Sequence, residues 1–254
     1  MRRAASFALC ASFAGVLASC EPVPPEGDRP ESSREFPLPD RPVSDLGSNQ
    51  FSTETARDSR GEAQTVMDFA EIEPGMTVAD IGAGEGYYTV RLAERVGAEG
   101  RVLAQDIDDD AIVRLGRRVE RERFDNVSIK LGAPDDPRLP DDSFDRVFLV
   151  HMYHEVEEPY AFLWRMWPAL KEGGMVIVVD VDRPTDRHGI NPFLLACEFE
   201  QVGFTLDTFR NAPELAGYYA QFRRAATRPE PSTIETCSGS AAQAANGAAG
   251  GGSN

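Results

Sequence analysis

The sequence is short of basic residues: 26 Lys and Arg stand against 42 Asp and Glu, a formal charge of −16 over 254 residues. Affinity for phosphates comes from clustered Lys and Arg, so this balance excludes a non-specific nucleic-acid binder, and no nucleic-acid partner is expected. Cysteine is scarce, with four in the chain, which excludes a disulfide scaffold. Histidine is scarcer still: His151, His154 and His188 are the only three. The uncharged run at residues 4–19 would span about 24 Å as a helix, short of the roughly 30 Å hydrocarbon core, so a transmembrane span is not expected. What remains is 41% hydrophobic and 27% charged, the composition of an ordinary globular domain with tails.

The amino terminus carries a processing pattern. Arg2 and Arg3 precede the uncharged run, which ends in Leu17, Ala18, Ser19 and Cys20. This quartet resembles the lipobox of bacterial lipoproteins. The resemblance implies that residues 1–19 are a lipoprotein signal peptide and that Cys20 becomes the lipidated first residue, holding the protein on a membrane without crossing it. Glu21 stands where an Asp would signal inner-membrane retention, so the implied location is the periplasmic face of the cell envelope, with the outer membrane favoured. Residues 20–50 carry prolines among charged and Ser residues and read as a solvated Pro-rich tether. Residues 51–228 read as the folded domain, and residues 229–254 as a disordered low-complexity tail. Cys197 lies in an apolar helical run and Cys237 in that tail, so no bridge between them is expected.

Within 51–228 strand-like and helix-like patterns alternate, the signature of an α/β fold with a mostly parallel sheet. Strands are predicted at 77–81, 101–105, 127–131, 146–150 and 175–181, with two more at 204–210 and 218–223. Helices are predicted at 64–72, 87–96, 109–122, 159–170 and 192–202. The run Met175, Val176, Ile177, Val178, Val179 does not alternate, as suits a strand covered on both faces. Phe162, Leu163, Trp164 and Trp167 read as helix core.

The strongest local signal is Asp80, Ile81, Gly82, Ala83, Gly84, Glu85, Gly86, three glycines at a strand-to-helix turn. Glycine permits positive φ and close approach of a ligand to backbone. The spacing departs from the dinucleotide pattern G-x-G-x-x-G, because Gly86 follows Gly84 by two residues. Asp106, at the end of the second strand, stands where a carboxylate accepts both hydroxyls of a ribose.

These residues resemble class I S-adenosylmethionine-dependent methyltransferases over about 57–224. The resemblance extends to Leu139 through Asp145 before the fourth strand, to Leu170 through Gly174 before the fifth, and to Gly203 and Phe204 before the last hairpin. It implies a Rossmann-like, doubly wound seven-stranded sheet and S-adenosylmethionine as cofactor. Asp80, Gly82, Ala83, Gly84 and Gly86 would surround its methionyl part and Asp106 its ribose. The family commonly places Asp after the Gly that follows strand three, to bind adenine; Ala133 stands there, and Asp135 or Asp136 is the candidate substitute, unless that loop is simply solvated.

Methyl transfer is an in-line displacement, so the protein's task is alignment, helped by a base if the acceptor must lose a proton. Candidate bases follow strand four: His154 first, then His151 and Tyr153, with Glu155 beside them. No further Cys or His cluster completes a ligand set around them, so no metal is expected. The family's N-P-P-Y signature is absent from 150–155, which argues against adenine-base and glutamine-amide acceptors. Arg183, Arg187 and His188 read as a solvated loop or a substrate wall. The expected activity is methyl transfer to a small-molecule or envelope acceptor; the alternative is a lipoprotein that keeps the fold as a non-catalytic binding module.

Overall fold

Seven extended segments join in one sheet in the computed structural model, which describes residues 29–46 and 53–238. The expected signal peptide and Cys20 lie outside the described residues. The strands are β1 (Thr77–Ile81), β2 (Arg101–Asp106), β3 (Val127–Leu131), β4 (Phe144–Val150), β5 (Leu170–Asp180), β6 (Phe204–Ala212) and β7 (Gly217–Arg224). Their order is β3-β2-β1-β4-β5-β7-β6; the first five run parallel, and β7 pairs antiparallel with both β5 and β6. This is the Rossmann-like α/β architecture the sequence predicts. The helices are α1 (Glu54–Ser59), α2 (Glu62–Phe69), α3 (Tyr87–Val96), α4 (Asp109–Glu122), α5 (Pro159–Met166) and α6 (Pro192–Gln201).

Two apolar layers sandwich the sheet. One holds Val78, Val102, Phe148, Ile177 and Val179 against α2 and α3; the other holds Ala79, Val147, Leu149, Val176 and Val178 against α5 and α6. Adjacent strand residues therefore serve opposite layers, and both layers are apolar, which is why β5 shows no alternation. Helix α5 stops four residues short of its predicted end because Pro168 cannot continue it, and β5 begins at Leu170, five residues earlier than predicted. Helix α1 was not predicted; Thr53 caps it by accepting the amide of Ala56.

Two expectations are corrected. Residues 29–46 of the Pro-rich segment do not float: they form a strap across α5 and α6. Arg29 pairs with Glu158 at 2.5 Å, Phe36 enters the core edge-on to Trp164, and the buried side chain of Arg41 pairs with Glu198 at 2.8 Å. The strap has no apolar periodicity to reveal it, yet it carries the cations that two buried carboxylates require. The second correction concerns the carboxyl end. Cys237 is buried and joined to Cys197 of α6 by a disulfide. Its amide donates to the Tyr160 hydroxyl, Thr236 Oγ1 donates to the Leu38 carbonyl and Ser238 bridges Asp40, so residues 236–238 lie along the strap, while Pro229 and Glu235 are held by Trp164 of α5 and Gln201 of α6. Composition hid this, because one covalent bond and a few hydrogen bonds order the segment without an apolar core of its own.

The bridge spans 40 residues, which in the chain-entropy account is worth about 4 kcal/mol through the unfolded state. Replacing Cys197 with Ser should lower the free energy of unfolding by about 2 to 4 kcal/mol in urea titrations. An unchanged midpoint in the oxidised parent and the variant would contradict this.

Candidate active site

Strand β1 has β2 on one side and β4 on the other, so the connections leaving β1 and β2 diverge from those leaving β4 and β5. Such a reversal opens a crevice at the carboxyl ends of the strands. The glycine turn fills its floor. The Ala83 amide donates to the Gln105 carbonyl at 2.9 Å, and the Gly84 amide donates to Asp106 Oδ2 at 2.8 Å. The other Asp106 oxygen accepts the Asp108 amide at 3.0 Å, which leaves each oxygen a lone pair for a ligand hydroxyl. Gly84 has φ +54° and open space where a Cβ would stand. Gly86 has φ +86° and opens α3; a Cβ there would lie 2.5 Å from Leu115 Cδ1, so this glycine serves helix packing.

The crevice is a cavity of about 1070 Å³. Gly82, Ala83, Gly84 and Asp106 line its floor, Ala133 and Pro134 one side, and His151, Met152 and Glu155 the side beyond β4. Thr53, Glu54 and Arg57 of the α1 region close it from above. These last residues were not foreseen; the available signal was Thr53 followed by Glu54, a capping residue with an acid in the first turn.

Asp80 stands behind the floor. It is buried and accepts a 2.6 Å hydrogen bond from Thr89 Oγ1. Burial pushes its carboxyl up to about 6, against the pull of the Thr89 bond and of Arg57 and with help from the charge of Asp106.

Besides Gly86 and Asp80, three more expected residues lie outside the cavity lining. Asp135 does not reach the cavity: its carboxylate accepts from Ser32, Ser33 and Arg165 at 2.6 to 2.8 Å. It anchors the strap, and the cavity wall near Ala133 is apolar. Tyr153 is fully buried, donating to Glu198 at 2.8 Å, with its hydroxyl pushed well above its ordinary range by burial and by that carboxylate. His154 is fully buried against Asp180. The 3-10 turn Tyr153–Glu155 directs both side chains inward, behind the cavity wall.

Of the three candidate bases, His151 lines the cavity. It sits at φ +55°, a costly backbone for a residue with a Cβ and one that gathers at functional sites. Its Nε2 lies 3.7 Å from Glu62 Oε1, and Glu62 also pairs with Arg57 at 2.6 Å and accepts the Tyr88 hydroxyl at 3.3 Å. Burial would raise the Glu62 carboxyl, but His151 and Arg57 outweigh it and hold it at about 2. A carboxylate fixed in this way keeps the His151 ring in one place.

A family model described as "Methyltransferase domain" matches residues 72–215. The chain is 32% identical over 120 residues to the ubiquinone/menaquinone biosynthesis C-methyltransferase UbiE of Idiomarina loihiensis, covering 46% of this chain and 47% of that one. It is 28% identical over 119 residues to the demethylmenaquinone methyltransferase of Listeria welshimeri, covering 46% and 50%. The chain therefore spans about half the length of these curated relatives. Among solved structures, a SAM-dependent methyltransferase from Aquifex aeolicus superposes with a TM-score of 0.58 at 19% identity, over 68% of this chain and 97% of that one. The [4+2]-cyclase SpnF gives the same TM-score at 15% identity, over 77% and 92%. These two likenesses concern the fold.

The raised carboxyl of Asp80 has a thermodynamic consequence. Its contribution to stability is complete below about pH 3.8, the ordinary value, and is lost as pH rises through about 6. Asp80→Asn should therefore gain on the parent by about 2 kcal/mol between pH 4 and pH 7 in denaturant titrations. Parallel stability curves for the two proteins would show that Asp80 titrates normally.

Proposed function

The chain belongs to the methyltransferase-domain family, with S-adenosylmethionine as methyl donor, and from that premise we propose that it methylates a small-molecule acceptor of the cell envelope. The observation that carries the reading is the glycine-floored cavity with the Asp106 carboxylate at its edge.

The residues present fit the donor. Gly84 leaves open space where a side chain would block approach, Asp106 retains acceptor capacity for two hydroxyls, and the cavity matches the upper range for small-ligand sites. Gly82, Ala83 and Gly84 would lie along the methionyl part, and Asp106 would hold the ribose. With Asp135 engaged elsewhere, Ala133 and Pro134 would offer adenine an apolar wall. When bound, the donor supplies a sulfonium-activated methyl group. The protein holds acceptor and donor in line and excludes water, which is where most of the rate is gained in such displacements. His151, oriented by Glu62 at the cavity wall, is the group we assign to accept a proton from the acceptor.

Relatives named for ubiquinone and menaquinone biosynthesis support an acceptor that is small and soluble in membrane lipid. The envelope location draws on two features. The sequence Leu17, Ala18, Ser19, Cys20 matches a lipoprotein processing site, and the Cys197–Cys237 disulfide is of a kind that oxidising compartments maintain. Lipidation of Cys20 would keep the domain at the membrane surface; among the described residues no helix is long and apolar enough to cross one.

Calorimetric titration of the chain with S-adenosylmethionine should show one saturable site, and Asp106→Ala should weaken it at least tenfold, about 1.4 kcal/mol or more. The absence of any heat at millimolar ligand would reject the reading. Incubation of envelope lipid extract with methyl-labelled donor should place label in the lipid-soluble fraction; label confined to protein would exclude a small acceptor. In cells, Cys20→Ser should release the protein from membranes and abolish lipid labelling, and retention of both would refute the anchor.

A further inference from the structure

His154 and His188 take no part in the cavity, yet they meet behind it. His154 Nδ1 lies 3.0 and 3.1 Å from the two oxygens of Asp180, and both side chains are fully buried. Asp180 also accepts the Val181 amide at 2.8 Å. A carboxylate only accepts, so the proton resides on Nδ1 and the Nε2 atom presents a lone pair. That Nε2 is buried and has no hydrogen-bond partner. The carboxylate oxygen facing it, Glu155 Oε1, stands 3.9 Å away, beyond hydrogen-bond reach. A buried, oriented and unanswered donor atom calls for an electron-pair acceptor.

Two more ligand atoms surround it. Glu155 follows His154 in the chain, and the His188 ring stands edge-on to the His154 ring with centroids 5.6 Å apart. One ligand atom from each of His154, Glu155 and His188 lies within 4.8 Å of the others. We infer that these three side chains form a binding site for a divalent cation of the zinc type. Two imidazoles and one carboxylate suit such an ion and leave a fourth position for water. Bonds of about 2.0 to 2.1 Å place tetrahedral ligand atoms about 3.3 Å apart, so the Glu155 oxygen has about 0.6 Å to close on His154 Nε2 and the His188 nitrogen at most about 1.5 Å, side-chain adjustments both. Asp180 plays the part of the outer carboxylate that fixes a ligating imidazole. With Glu155 it supplies two negative charges, matching the ion.

The backbone already holds the set together. Ser44 of the strap donates its amide to the His154 carbonyl and its hydroxyl to the Thr185 carbonyl, and it accepts the His188 amide at 3.1 Å. His188 itself is kept at φ +54°, off its relaxed backbone. Its ring borders a surface depression lined by Arg183, Pro184, Asp186 and Arg187, which gives solvent a route in. Sequence spacing could not show the site, because the third ligand comes from the loop after β5, 34 residues beyond His154.

The test uses the full chain without a histidine tag, stripped with chelator and dialysed against micromolar zinc. It should retain about one equivalent per chain, and cobalt in its place should give the visible bands of a tetrahedral site. Glu155→Gln and His188→Gln should each weaken zinc binding at least tenfold, and Asp180→Asn by about 10- to 100-fold. His151→Gln removes the histidine that faces the cavity and should bind as the parent does. His154→Ala empties a fully buried position, so the half-buried His188 is the decisive substitution. No zinc above buffer level, or equal uptake by the parent and His188→Gln, would overturn the assignment.

Discussion

One hydrogen bond, from the Gly84 amide to the Asp106 carboxylate, ties together the two loops on which the site is built. A bond of this kind to a charged acceptor contributes about 1.5 to 3 kcal/mol. Its reach depends on Gly84 adopting φ +54° without strain, and its direction depends on β2 lying parallel to β1 one register step away. It also decides what Asp106 can do. A carboxylate steadied by backbone amides on both oxygens cannot swing out to solvent, so its remaining lone pairs face the cavity. The reversal of strand order on the other side of β1 supplies the empty space; the glycine turn supplies a floor that a ligand can approach.

The second organising constraint is the burial of carboxylates by a chain already rich in them. Glu62, Glu158, Glu198, Asp180 and Asp80 are all removed from water. An isolated buried carboxylate is costly, and each of these five is answered by an arginine, an imidazole or a raised affinity for a proton. Glu62 takes Arg57 and His151, Asp180 takes His154, and Asp80 raises its affinity for a proton. Glu158 and Glu198 take Arg29 and Arg41, both from the strap. The path of the strap thus follows from the electrostatics of α5 and α6. Proline keeps it extended, and two arginines fix where it lies.

This explains which parts of the molecule could be read from residues alone. Strands announce themselves by apolar runs and helix ends by Gly and Pro, because those signals are local; Pro168 displaced a boundary by only a few residues. The floor of the site is local too, so Gly82, Gly84 and Asp106 were recognisable from a window of some 25 residues. The strap was not, since Arg29 and Glu158 are 129 residues apart, and the bridge from Cys197 to Cys237 spans 40. No window contains both partners of either pair. The same limit applies beside the cavity: His151, Tyr153 and His154 are nearly adjacent in sequence, but the 3-10 turn at Tyr153–Glu155 sends one outward and two inward.

Fold likeness constrains the chemistry only in part. A named methyltransferase and a named [4+2]-cyclase superpose on this chain equally well, so the fold alone is compatible with more than one reaction. In this chain the loops after β4 and β5 hold every histidine. One of the three faces the cavity beside Arg57 and Glu62; the other two converge behind its wall, where Asp180 orients His154. Glu155 belongs to both places, lining the cavity while lying 3.9 Å from His154. A change at the histidine pair therefore has a short route, one side chain long, to the wall against which an acceptor would rest. The strap passes over that pair through Ser44, and its Leu46 lines the cavity, so the segment that neutralises the buried glutamates also borders the site.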